Sequence, residues 1–143
     1  MTSLVFPDIN VWLALVFDRH LHSAAAQRWY GSLDASTSFV FCRHTQLGLL
    51  RLLSNEAAMG DDVMTQCQCW QVYDRWFESG QAILFDESKR IEARLRARTS
   101  EPIVAPKLWA DAYLAAFAES AGLTLVTFDR ALAGRVTDSL LLE

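Results

Sequence analysis

Two aspartates, each directly following a short apolar segment, are the clearest candidates for chemistry in this sequence. Asp8 ends the segment LVFPD, and Asp129 ends the segment LVTFD. Short apolar runs of this kind are typical of buried parallel strands. In an open parallel sheet the carboxyl ends of the strands share one edge, and ligands bind just beyond it. If both segments are strands near the sheet centre, both carboxylates lie at that edge.

A third carboxylate, Asp111, lies in the helical segment PKLWADAYLAAFAESAG, which leads directly into the strand that ends at Asp129. Leu108 and Ala115 share its helix face, which we expect to pack against the sheet. With Pro106 expected in the first turn, Asp111 is about the sixth helical residue, too deep for an N-cap or a first-turn partner of the helix dipole. We therefore expect Asp111 near the same sheet edge.

Three carboxylates at one edge would repel each other and raise their pKa values unless a cation held them. A site with oxygen ligands alone favours a hard ion such as Mg²⁺ or Mn²⁺. Such an ion suits hydrolysis of a phosphodiester, because it polarises the phosphoryl oxygen and lowers the pKa of the attacking water. The sequence therefore indicates a metal-dependent phosphodiesterase.

Each acid also has a purely structural interpretation. Asp8 and Asp129 can cap the helices that follow them, and Asn10 can act as a cap as well. Asp111 can form an ion pair with Lys107, one helical turn earlier. These alternatives remain open at this stage.

The pattern of apolar runs predicts alternating strands and helices. We predict strands at 3–7, 38–42, 81–85, 123–128 and 139–143, and helices at 9–17, 23–33, 43–54, 62–79, 87–98 and 106–121. Helices between successive strands require right-handed crossovers and a parallel sheet. The fold class is therefore α/β, a three-layer α/β/α sandwich with a central, mainly parallel sheet. The absence of repeats and low-complexity linkers predicts one domain across residues 1–143.

Composition limits the function classes. The formal net charge of −4 argues against binding nucleic acid by overall charge, and the basic segment KRIEARLRART is the best local candidate for phosphate contacts. No apolar run is long enough to span a membrane, and the N-terminus lacks the pattern of a signal peptide, so we expect a soluble, cytoplasmic protein. In the helix 62–79, Trp70, Tyr73, Trp76 and Phe77 form an aromatic stripe that predicts core packing.

Three segments together resemble a known family. FPDINVWLALVFDRHLHSAA, CRHTQLGLLRLLSN and ADAYLAAFAESAGLTLVTFDRAL resemble, in order and spacing, the PIN-domain toxins of the VapC family from bacterial toxin-antitoxin operons. The resemblance implies a PIN-like fold and a Mg²⁺-dependent endoribonuclease, with Mn²⁺ as an alternative ion. It also implies an RNA substrate such as tRNA or ribosomal RNA, a VapB-type antitoxin as inhibitor, and a homodimer.

By this resemblance, Asp8, Asp111 and Asp129 match the family's acids and are expected to be the catalytic residues and metal ligands. Asn10 matches the asparagine of the family's D-x-N motif, and Thr127 matches a position that commonly carries a hydroxyl. Both are expected to be polar supports of the site.

The chain departs from the family pattern in the helix after the second strand. Family members usually carry a further acid there, whereas this chain has Gln46 in the matching place and Gly48 nearby, and neither can ionise. We expect Gln46 to hydrogen-bond water at the site. Arg51, Lys107 and Arg130 are the cations nearest the predicted site and are candidates for RNA contacts.

Two alternative functions follow from the same residues. The missing acid allows a PIN-like domain whose own nuclease activity is weakened or lost and which binds RNA or a protein partner. A phosphatase or receiver-type α/β domain also places aspartates at strand ends. The phosphatase pattern requires Asp-x-Asp where this chain has Asp8-x-Asn10, and the adjacent acids of a receiver occur only at Asp61 and Asp62, in the middle of the chain.

Overall fold

The computed structural model describes residues 3–143, and a five-stranded parallel sheet forms its centre. The strands are β1 (Ser3–Pro7), β2 (Thr37–Phe41), β3 (Ala82–Leu84), β4 (Thr124–Thr127) and β5 (Ser139–Leu141). Their order is β3-β2-β1-β4-β5, with every neighbouring pair parallel. The five predicted strands are confirmed, with bounds that differ by no more than two residues.

Eight α-helices flank the sheet in the described part of the chain. They are α1 (Ile9–Val16), α2 (Ser23–Ser32), α3 (Arg43–Leu53), α4 (Glu56–Met59), α5 (Gln66–Glu78), α6 (Ile91–Arg98), α7 (Leu108–Ala121) and α8 (Arg130–Ala133). None of the helices within residues 3–143 is long and apolar enough to cross a lipid bilayer.

Three predicted helix starts are wrong, and local hydrogen bonds explain the clearest case. The predicted helix 62–79 begins only at Gln66, because Thr65 and Gln68 form a capping box there. The Thr65 hydroxyl accepts the Gln68 N–H at 3.2 Å, and the Gln68 side chain accepts the Thr65 N–H at 2.9 Å. The short α4 and a 3₁₀ turn (Gly60–Asp62) precede this start. The predicted helices 87–98 and 106–121 begin at Ile91 and Leu108.

The sheet separates two apolar layers, as the three-layer prediction requires. Side chains alternate along a strand, so Val5 and Val126 face one layer while Phe6 and Leu125 face the other. Residues of α1, α2, α3 and α5 fill the first layer, and residues of α6, α7 and α8 fill the second.

Aromatic packing fixes α1 on the sheet. The ring of Trp12 is fully buried and stacks on Phe41 of β2, with centroids 3.9 Å apart. Trp76 of α5 meets the same indole edge-on at 5.0 Å. Tyr73, Trp76 and Phe77 all pack into this layer, which confirms the predicted core role for most of the aromatic stripe. Because α1 starts at the residue after Asp8, this packing also fixes the beginning of the site.

The connection from α7 to β4 is short and well defined. Gly122 ends α7 in the left-handed conformation, at a φ of 67°, as the sequence predicts. The N–H of Leu123 then donates to the carbonyl of Ala118 at 2.9 Å. The chain therefore turns directly from α7 into β4. The start of α7 and the end of β4 consequently both lie near the edge formed by the carboxyl ends of the strands.

Candidate active site

A cavity of about 170 Å³ at the carboxyl ends of β1 and β4 contains all three predicted acids in its wall. The polar residues of this wall are Asp8, Asn10, His44, Asp111 and Asp129. The strand order reverses on either side of β1, so the cavity lies at the kind of position where open α/β sheets bind ligands.

Asp8 continues β1 and also caps α1. Its N–H donates to the carbonyl of Val126 on β4 at 2.9 Å. Its Oδ1 accepts the N–H of Val11 at 3.0 Å, so Asp8 is the N-cap, and the alternative that Asn10 provides the cap is wrong. Asp8 is buried, whereas Asn10 is exposed at the cavity.

The hydroxyl of Thr127 joins the two strand ends. This fully buried hydroxyl donates to Oδ2 of Asp8 at 2.5 Å and accepts the backbone N–H of Asp129 at 2.9 Å. It therefore fixes the Asp8 carboxylate and the backbone at Asp129 relative to each other. This position agrees with the supporting role expected of Thr127.

Asp129 caps the short helix α8 and still faces the cavity. Its Oδ1 accepts the N–H groups of Ala131 at 2.9 Å and Leu132 at 3.2 Å. Within residues 3–143, no protein group donates to its Oδ2, so this oxygen is available to water or a cation. The capping alternative is thus correct for Asp129, and it leaves half of the carboxylate unused.

Asp111 lies in the first turn of α7, and the prediction that it sits too deep for this position is wrong. The helix begins at Leu108 because Pro106 and Lys107 form a turn before it. The predicted pairing with Lys107 is absent from the ion pairs among residues 3–143. The cation that acts on Asp111 is instead Arg135, whose charge lowers the pKa of the carboxyl. Sequence reasoning missed Arg135, which lies after α8 and is far from Asp111 in sequence.

Burial and mutual repulsion raise the pKa values of two acids. Burial is the main cause for Asp8, and the hydrogen bonds from Thr127 and Val11 oppose it only in part. Burial is also the main cause of the raised pKa of Asp111. The negative charge of Asp129 adds to both pKa shifts. The charge of Asp129 therefore acts on both of the other acids.

The donor set fits a hard divalent cation, because such an ion would remove this repulsion and prefers carboxylate oxygens. Among residues 3–143, no three His, Cys, Asp or Glu side chains are already arranged to hold an ion by themselves. An ion at this cavity would therefore complete its coordination with water or phosphate oxygens, as Mg²⁺ commonly does.

Gln46 does not line the cavity. Its side chain is buried, its Oε1 accepts a hydrogen bond from Arg43 at 2.6 Å, and it lies beside the Tyr73 hydroxyl. The expected role of Gln46 in binding water at the site is therefore not supported by its position. Successive helical residues are rotated by about 100°, so His44, two positions earlier, points the other way and lines the cavity.

A side chain at Gly48 would require the Ile9 side chain to move. A Cβ at this position would lie 2.2 Å from Cδ1 of Ile9, and Ile9 itself forms part of the cavity wall. The polar group that α3 presents to the cavity is thus the imidazole of His44, which packs edge-on against Tyr113 at 5.6 Å. Burial lowers the pKa of His44, and the nearby charge of Arg51 lowers it further.

The predicted cations lie in different surroundings. Arg130 pairs with Glu143 at 3.3 Å on the surface, and Lys107 is exposed just before α7. Arg51 is exposed on α3, close enough to His44 to affect its pKa.

The basic segment on α6 is partly neutralised. Arg94 and Arg98 both pair with Glu119 of α7, and Arg96 pairs with Glu92 within α6. These ion pairs hold α6 on α7, so only part of the segment's charge is available to phosphates.

Comparison with known proteins finds similarity over most of the chain. The PIN domain model matches residues 5–136. Ribonuclease VapC41 of Mycobacterium tuberculosis is 40% identical over 128 residues, which cover 87% of this chain and 88% of the relative. Ribonuclease VapC39 of the same species is 30% identical over 140 residues, covering 98% and 97%.

Solved structures share the fold at low sequence identity. VapC20 of Mycobacterium tuberculosis, a Sarcin-Ricin loop cleaving toxin, has a TM-score of 0.68 at 14% identity and covers 92% of this chain and 94% of its own. VapBC2 from Rickettsia felis, bound to a DNA fragment from their promoter, has a TM-score of 0.71 at 12% identity, covering 99% and 100%.

We expect Thr127→Val to destabilise the protein, because valine keeps the shape but leaves the Asp8 carboxylate and the Asp129 N–H without their common partner. The free energy of unfolding should fall by about 1–3 kcal/mol, the usual cost of an unsatisfied buried polar group. Urea denaturation measures this change. Thr127→Ser keeps the hydroxyl and should lose less stability; equal losses in the two variants would contradict the bridging role.

We expect Asp8→Asn to stabilise the metal-free protein near neutral pH. The folded pKa of Asp8 lies above 3.8, so the wild type loses stability as the pH rises from that value through the folded pKa. The neutral amide removes this loss, and the gain should disappear toward pH 3. Denaturation at several pH values in EDTA tests this. The surface variant Asp61→Asn is the control, and an Asp8→Asn protein with the wild-type pH dependence would refute the expectation.

Proposed function

This chain belongs to the PIN-domain family, and on that premise we propose that it is a metal-dependent endoribonuclease that hydrolyses phosphodiester bonds in RNA. The observation that carries the proposal is the position of Asp8, Asp111 and Asp129 on one cavity wall at the strand ends. Relatives that share 30 to 40% of its residues are named ribonucleases.

We propose that Asp8 and Asp129 hold a Mg²⁺ or Mn²⁺ ion, and that Asp111 holds it or orients the attacking water. The bound ion supplies Lewis-acid chemistry: it polarises the phosphoryl oxygen and lowers the pKa of the water. The protein contributes the positions of its oxygens. Thr127 and the N–H of Val11 fix the Asp8 carboxylate, and α8 fixes Asp129 through its capped oxygen.

Two polar residues at the cavity wall complete the arrangement. The exposed amide of Asn10 is available to water or phosphate. Burial and the charge of Arg51 both lower the pKa of His44, which favours a neutral imidazole that can accept or donate one hydrogen bond. The sequence-based expectation assigned this supporting place on α3 to Gln46.

We also propose that the protein is the toxin of a type II toxin-antitoxin pair that acts in the cytoplasm on tRNA or ribosomal RNA, forms a homodimer and is inhibited by a VapB-type antitoxin. Its structural neighbours include toxins within VapBC complexes. An exposed apolar groove between α3 and α5, of about 370 Å³ with Leu47 and Trp70 in its wall, provides a surface that a protein partner can cover.

A second candidate function is an RNA- or protein-binding domain without nuclease activity. The observation that favours it is on α3, where Gln46 faces away from the cavity and Ile9 fills the space beside Gly48. The three remaining acids then hold an ion less tightly than four would.

Asp129→Asn should abolish metal-dependent cleavage, because it removes the charge that couples the other two acids. We expect cleavage of labelled RNA with Mg²⁺ or Mn²⁺ to fall by about a hundredfold or more, as when a key electrostatic group is lost. Asp61→Asn, which changes a surface carboxylate, should retain the wild-type rate, and EDTA should stop both proteins.

Two results would contradict the nuclease proposal. Cleavage that continues in EDTA would exclude the metal-dependent mechanism. Equal RNA binding by the wild type and Asp129→Asn, with no cleavage by either, would favour the binding domain.

The toxin assignment predicts a specific inhibitor. Co-expression with the VapB-type protein encoded in the same operon should give a stable complex in size-exclusion chromatography, and the complex should cleave RNA much more slowly than the free protein. A complex that cleaves at the rate of the free protein would contradict the assignment.

A further inference from the structure

A second cavity of about 580 Å³ lies between the end of α6 and the start of α7. Its volume falls in the range of about 300–1,000 Å³ that is typical of small-ligand sites. The chain between α6 and α7 forms much of its wall, and Arg135 also lines it. Neither the fold nor the proposed metal site accounts for this cavity.

The wall of the second cavity exposes apolar side chains that the core does not use. Val104 is 98% exposed, Ile103 is 60% exposed and Trp109 is 59% exposed. Within the described residues, Trp109 makes no close contact with another aromatic ring. Its indole is therefore free to stack on a ligand.

Arg135 is the residue that connects this cavity to the acids. Trp109 lies two positions before Asp111 in the first turn of α7, so its side chain points about 200° away from Asp111 around the helix, toward the second cavity. Arg135 lines the second cavity, and its charge acts on Asp111. Within residues 3–143, the Arg135 side chain has no ion-pair partner within 4 Å. Arg98 is already paired with Glu119, and it also donates to the carbonyl of Arg135 at 3.0 Å, which fixes the backbone there.

Resting on the proposed ribonuclease function, we propose that the second cavity binds an unpaired nucleotide of the RNA substrate next to the scissile phosphate. Its base stacks on Trp109, and Arg135 neutralises the adjoining backbone phosphate. Exposed aromatic rings together with free cations are the usual means of holding single-stranded nucleic acid, and every base has a face that can stack.

The position favours RNA over a protein partner. A strand whose scissile phosphate lies at Asp111 and Asp129 must continue on both sides, and Arg135, whose charge acts on Asp111, also lines this cavity. In a protein with a net charge of −4, the unpaired cation of Arg135 is also located where a backbone phosphate would need it.

Binding of a labelled single-stranded RNA in EDTA, measured by fluorescence anisotropy, tests the inference without any cleavage. Trp109→Ala should weaken binding by about tenfold or more, while Trp109→Phe keeps most of the affinity. Arg135→Gln should weaken binding and reduce the salt slope by about one. A fully paired duplex should bind the wild type and Trp109→Ala equally.

Two matched variants serve as controls. Trp70→Ala removes a tryptophan that is 46% exposed in the groove between α3 and α5, and Arg28→Gln removes a cation that is exposed on α2. Both should bind the single strand as the wild type does. If Trp109→Ala and Trp70→Ala have the same affinity, the inference is overturned, while Mg²⁺-dependent cleavage by the wild type would leave the nuclease proposal intact.

Two further outcomes separate the alternatives. If Trp109→Ala converts a dimer to a monomer in size-exclusion chromatography without changing RNA affinity, the cavity is an interface between copies of the chain and the inference is overturned. If Trp109→Ala lowers RNA affinity but the wild type cleaves no RNA, the nucleotide site stands and the nuclease proposal fails.

Discussion

The hydrogen bonds of the Thr127 hydroxyl are the constraint on which the site depends. This single buried group donates to Asp8 and accepts from Asp129, so its orientation is fixed from both sides. It joins residues 119 positions apart, and that contact requires β1 and β4 to be parallel neighbours in the register that pairs Pro7 with Val126. The packing of Trp12 on the sheet and the short turn from α7 into β4 both help to hold the strands in this register.

Capping a helix and lining the site are compatible roles for the two strand-end aspartates. Asp8 caps α1 and Asp129 caps α8, so each satisfies backbone N–H groups that would otherwise lack partners. The same hydrogen bonds hold the carboxylates in place at the cavity, because a capping oxygen cannot rotate away without losing its donors. The capping hydrogen bonds thus explain how the two carboxylates are held in position. Their shared place on the cavity wall indicates a common role.

The electrostatics of the site oppose its stability. Burial raises the pKa of Asp8, and the charge of Asp129 raises the pKa values of both other acids. Conflicts of this kind are characteristic of functional sites, where a local cost is tolerated because of what binds there. The charge of Arg135 lowers the pKa of Asp111, and the same residue lines the second cavity. The same cation therefore belongs to both parts of the surface that an RNA strand would cross.

The sequence by itself determined the order of strands and helices, and it placed Asp8 and Asp129 at the carboxyl ends of their strands. Apolar runs defined all five strands, helices of crossover length required a parallel sheet, and Asp8 and Asp129 follow their strands directly. These features depend on local periodicity, which the sequence displays.

Only the tertiary structure decided which side of each helix faces the site. Periodicity separates His44 from Gln46 but cannot say which of them points to the cavity, since that depends on how α3 packs between α1 and α5. The charge of Arg135 acts on Asp111 only because the chain returns toward α7 after α8. The start of α7, and with it the exposure of Trp109, depends on the turn before the helix, where Pro106 is as compatible with a preceding turn as with the first helical residue.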